Sequence, residues 1–131
     1  MQELNIPIFK KGYDLTKALY GLRVSVPKQD RYAVWQRCEN LMLEVLEGIL
    51  LASQLPKIRK LPPLEGASLK LNVLRVFLRL AKDTKAIDIK KYCVLEEMVD
   101  EMGRMLGGWM KSVKEELPNH PPLSQGTAGV R

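Results

Sequence analysis

Histidine is almost missing from this 131-residue chain: His120 is alone, and it falls in a stretch dense in proline and glycine. A serine or cysteine nucleophile needs a positioned base, and the body of the chain has no histidine to act as one. Two cysteines, Cys38 and Cys93, are too few and too far apart for a small secreted disulfide scaffold. They also lack the further Cys or His ligands that a zinc site requires. The carboxylates Glu96, Glu97, Asp100 and Glu101 cluster, but no Glu-x-x-His pair accompanies them, so a di-iron bundle site is not expected. No glycine-rich phosphate loop is present. No catalytic residue, metal or cofactor is therefore expected, and the carboxylate cluster reads as a solvated face or as a partner for basic side chains.

Aromatic residues are equally scarce, at 6% of the chain, while leucine dominates an apolar fraction of 46%. That balance favours helices, because strands draw on β-branched and aromatic side chains. Long hydrophobic runs are missing too. Glu44, Glu47 and Gln54 interrupt the longest one, which leaves no span of the roughly 18 residues a bilayer needs. Met1 to Pro7 has none of the basic-then-apolar pattern of a secretory signal. A cytoplasmic protein with no membrane segment is the expectation.

What is present is helical periodicity divided by proline and glycine. Tyr13, Leu15, Ala18, Leu19, Leu22 and Val26 predict a first helix over about 8–25. Pro27 suits the first turn of a second helix, expected over 28–54, with Val34, Cys38, Leu41, Val45 and Ala52 on one line. The basic, proline-rich stretch Pro56 to Pro63 reads as a connection. A third helix follows over about 63–84, and a fourth over 89–116 with Asp88 as its N-cap. Residues 1–117 thus predict an all-α, antiparallel up-and-down four-helix bundle, and 118–131 a disordered tail.

The third helix carries more apolar surface than an edge helix of a small bundle needs. At about 100° per residue, Leu69, Val73, Leu74, Val76, Phe77, Leu78, Leu80 and Ala81 cover most of its circumference. A second packed surface is implied, and another copy of the chain is its simplest supplier, the alternative being a central, tightly packed helix in a monomer. The narrow polar arc is basic: Arg75, Arg79 and Lys82 follow i, i+4, i+7 spacing with no carboxylate between them, and Lys70 adds a cation in the early turns. Residues 57–91 hold 10 basic and 3 acidic side chains, and the net charge of +6 comes from this third of the chain. Such a patch draws polyanions and would hold phosphates, the alternative being an ordinary solvated basic face, with Lys57, Arg59 and Lys60 included on charge alone. In the fourth helix Gly103, Gly107 and Gly108 predict a close backbone approach, with Gly48 as its counterpart, and Trp109 a core or interface anchor.

Three segments resemble one family. Ser25 to Tyr32 with Gln36 to Glu44, Leu74 to Asp83, and Gly103 to Lys111 resemble, in order, three helical regions of Avd-like proteins. These are the accessory variability determinants of diversity-generating retroelements. The likeness spans most of residues 13–113. It implies a pentameric barrel of four-helix protomers that binds the element's reverse transcriptase and nucleic acid, template RNA or cDNA, in support of mutagenic retrohoming. Arg75 and Arg79 match basic positions of the family's third helix, and Lys82 extends the row. Arg104 and Trp109 match its fourth-helix motif, where packing or subunit contacts are expected. The alternative is a purely structural oligomeric bundle of the ribosomal-RNA intervening-sequence type.

Overall fold

The computed structural model describes residues 6–117, and all of its regular elements are helical. The expected tail, 118–131, lies outside the described residues. Helix α1 runs Ile6–Leu22, followed by a 3-10 turn Arg23–Ser25 and a single turn α2, Lys28–Arg31. The longer helices are α3 Val34–Gln54, α4 Lys57–Asp83 and α5 Ile89–Glu116. Helix α1 packs on α3 and α5, and α4 packs on the same two, so the four long helices close a ring. Connections of a few residues between α3, α4 and α5 make these neighbours antiparallel. The expected four-helix bundle is the observed fold.

Its core is aliphatic. Ile8, Leu15 and Leu19 of α1 meet Leu41, Val45 and Ile49 of α3, Leu64, Leu71, Leu74 and Leu78 of α4, and Leu95, Val99 and Leu106 of α5. Cys38 is buried among them, and burial pushes its thiol up to about 12, so it stays protonated at neutral pH. Cys93 is exposed and free. Asp88 caps α5 as expected, its carboxylate accepting the Lys91 N–H at 2.8 Å. That hydrogen bond holds the Asp88 carboxyl below its ordinary range. The cap contributes fully above the ordinary aspartate range and is lost as pH falls through the lowered value.

Three boundaries differ from the sequence reading. The second helix is not continuous over 28–54: it stops after one turn, and Ala33, at φ −120° and ψ −105°, breaks it before α3. Arg31 turns back to donate to the Val26 carbonyl at 2.9 Å and the Val24 carbonyl at 3.0 Å. The break lets Trp35 sit fully buried, with Nε1 donating to the Leu19 carbonyl at 3.0 Å. The first helix ends correspondingly earlier, at Leu22, with the 3-10 turn supplying the last residues of the expected span.

The third helix begins at Lys57 rather than near 63, and the basic connection is its first two turns, with Pro62 and Pro63 inside it. Pro56 occupies the N-cap, and Lys60 reaches inward, its Nζ donating to the Ala52 carbonyl at 2.6 Å. This buried tether fastens the segment to the end of α3. The two prolines forgo only the bonds to the carbonyls of Ile58 and Arg59, two residues on the exposed side.

Between α4 and α5, Lys85 has φ 67°, the left-handed conformation that glycine adopts most easily. Ala86 N–H donates to the Ala81 carbonyl at 2.7 Å across this turn. Replacing Lys85 by glycine is expected to stabilise the protein by about 0.5–1 kcal/mol. A urea midpoint that falls instead would show that the lysine side chain matters more than its backbone strain.

Candidate interaction surface

Helix α4 has two apolar faces. Leu64, Leu71, Leu74 and Leu78 enter the core. On the opposite side Leu69, Val76 and Leu80 are exposed, at 65%, 62% and 46%. With half-buried Val73 they follow steps of four, three and four residues, the spacing that lines one side of a helix for a partner helix. The apolar surplus expected from the sequence therefore reaches solvent in the single chain. Phe77, between the two faces, packs against the core.

The basic row on this helix is not unopposed, which corrects the sequence reading. Arg75 donates from Nη1 to the Asp100 carboxylate of α5, and from Nε to Asn72 at 3.3 Å. Arg79 lies 4.0 Å from Asp83, both side chains largely exposed. Lys82 lies 3.4 Å from Asp83, with its ammonium 4.9 Å from the centre of the Tyr92 ring. Asp83 follows the row in α4, and Asp100 reaches it from α5. Spacing along one helix does not contain the second contact.

The remaining cations do not gather beside these three. Lys70 turns to the other neighbour and pairs with Glu44 of α3 at 3.3 Å. Lys57 meets Glu116 at 2.6 Å, and that contact lowers the Glu116 carboxyl below its usual value. Arg59 is exposed. Lys60 is buried and leaves the surface altogether, because its ammonium caps the end of α3. Cations therefore flank the exposed apolar stripe unevenly, with Arg75, Lys82 and Lys57 meeting α5 and Lys70 alone meeting α3.

The glycines also behave differently from expectation. A Cβ on Gly103 would come within 2.7 Å of Nη2 of Arg75, so this position makes room for a guanidinium rather than for another backbone. Gly107 and Gly108 face open space. The close backbone approach occurs at Gly48, where a Cβ would meet both the Pro63 carbonyl oxygen and the Ala67 Cβ at 3.2 Å. Gly48 thus seats α4 on α3 and has no counterpart in α5. Arg104 is exposed, and Trp109 is half-buried against the core, at the edge of the bundle rather than within it.

The carboxylates Glu96, Asp100 and Glu101 are spoken for by Tyr92, Arg75 and Lys11. No helix is long and apolar enough to cross a membrane among the described residues. Fold and surface together define a helical bundle that presents one doubly apolar, cation-edged helix. A family model described as bAvd-like matches residues 7–113. The chain belongs to that family, whose members are accessory proteins rather than catalysts. No curated protein is similar enough to count as a match.

Proposed function

We propose that this protein is the non-catalytic accessory subunit of a diversity-generating retroelement, binding its reverse transcriptase and the template RNA or cDNA in the cytoplasm. In this reading protomers join through the exposed Leu69, Val73, Val76 and Leu80 stripe of α4 into the five-subunit barrel implied by the family. Repetition of the flanking cations around an axis then builds a polyanion-binding surface from contacts too weak singly. The observation that carries the reading is the doubly apolar α4 with Arg79 exposed at its margin. Exposed ion pairs hold their partners weakly, so a phosphate can compete with Asp83 for Arg79. Arg75 is the more strongly committed of the two, being held by a neighbouring helix.

The test compares the intact protein with an R75E/R79E variant in binding labelled RNA and in pull-down with the cognate polymerase. Binding by the parent is expected to fall steeply with salt, and the variant is expected to lose at least tenfold while remaining helical by circular dichroism. Absence of salt-sensitive RNA binding by the parent at about 0.1 M salt, together with no polymerase capture, would leave a purely structural bundle. The carboxylate partners of Arg75, Lys70 and Lys57 are the feature that favours that second reading.

A further inference from the structure

The outward face of α1 is built differently from that of α4. Lys10, Tyr13, Lys17 and Tyr20 succeed one another at steps of three, four and three residues, on the side away from buried Ile8, Leu15 and Leu19. Tyr13 and Tyr20 are 52% and 48% exposed on this one face. Phe9 braces Tyr13 with centroids 6.0 Å apart, and the Lys17 ammonium lies 5.5 Å from the Tyr13 centroid. Lys10 pairs with Asp14 at 3.4 Å, an exposed i, i+4 contact, whereas no carboxylate among the described residues pairs with Lys17. Just past the end of α1, Tyr32 stands 74% exposed. The Arg23 guanidinium lies 5.0 Å from its ring centroid and is fixed there by two hydrogen bonds to buried Glu39, at 2.9 and 3.2 Å.

We infer that this face is a stacking platform for single-stranded nucleic acid. Half-exposed aromatic rings accept bases of any sequence, and interleaved cations follow the backbone. Tyr13 and Tyr20 are two helical turns apart, about 10 Å, which is the length of about three stacked nucleotides at roughly 3.4 Å each. The charge suits such a strand: residues 6–32 hold six cations and two acids. Although Lys10, Lys11 and Arg23 pair with Asp14, Glu101 and Glu39, Lys17 stands on the face with no carboxylate partner among the described residues. A protein partner fits less well. The face alternates its tyrosines with lysines, which protein interfaces avoid, whereas α4, with Leu69, Val76 and Leu80, has an aliphatic stripe suited to helix docking. The inference rests on the reading that the protein binds nucleic acid, but it assigns base contact to α1 and leaves the α4 row to phosphates.

The experiment uses the full chain and two labelled probes, a single-stranded oligonucleotide and a duplex of equal phosphate number, titrated by anisotropy in low salt. The Y13L/Y20L variant is expected to bind the single strand at least tenfold more weakly, with duplex binding changed less than threefold. The Y13F/Y20F variant keeps the rings and is expected to bind within threefold of the parent. Equal losses on both probes, or single-strand binding that survives the leucine variant, would overturn the platform while leaving the α4 reading intact. So would a change of subunit number on introducing the leucines, since the face would then be a contact between copies. If the parent binds neither probe, the nucleic-acid role proposed above falls together with this one.

Discussion

Replacing Trp35 by alanine is expected to destabilise the protein by about 3–5 kcal/mol, a large share of the roughly 5–15 kcal/mol that holds a domain of this size together. The side chain is fully buried at the start of α3. Its indole N–H is spent on the Leu19 carbonyl of α1, so the residue joins two helices by packing and by a hydrogen bond. Tryptophan to phenylalanine keeps a ring while deleting the donor, and is expected to cost about 1–2 kcal/mol by removing that bond and part of the volume. Urea denaturation of the two variants separates the contributions. A loss under about 1 kcal/mol for the alanine variant would mean that the indole is not packed where the structure puts it.

Changing both Leu69 and Val76 to glutamate is expected to act in the opposite way, sparing the fold and abolishing assembly. Both side chains face away from the core, so the protomer loses no buried contact. In an α4-mediated assembly, each would give up about 1.5–3 kcal/mol of apolar burial and place a carboxylate in the contact. The association constant is expected to drop by more than a hundredfold, following the sum of the two losses. Light scattering on a size-exclusion column, with circular dichroism to confirm helix content, reads the outcome. A parent protein that already elutes as a single chain of 14.9 kDa would refute α4-mediated assembly outright.

How far these features could be read from the residues depended on whether their causes were local. The last helix was legible to the residue, because its cap is one side chain acting three positions ahead: Asp88 to Lys91. The start of α4 was not, since Pro62 and Pro63 punctuate a sequence whether or not a helix tolerates them. What overrides them is Lys60 reaching eight residues back to Ala52, a contact with no sequence pattern. The interruption at Ala33 has the same character, as it depends on Arg31 returning to Val24 and Val26. The surplus apolar surface of α4 was legible because helical angle alone reveals it. The fate of its cations was not: pairing Arg75 with Asp100, or Lys70 with Glu44, requires the register between helices. The glycines show the same limit, because Gly103 accommodates a side chain and Gly48 a backbone, and both look alike on a helical wheel.

The pair of prolines near the start of α4 has a consequence for local stability. Neither contributes an amide proton, so the carbonyls of Ile58 and Arg59 have no donor four residues on, and the ladder of the helix is interrupted there. The opening turns keep the Lys60 tether to α3 and the Lys57–Glu116 ion pair to α5, but they lose two rungs of their own ladder. They are therefore expected to unzip at lower free energy than the rest of the rod. Hydrogen exchange along α4 would then be stepped, with fast amides before Pro62 and slow ones after Leu64.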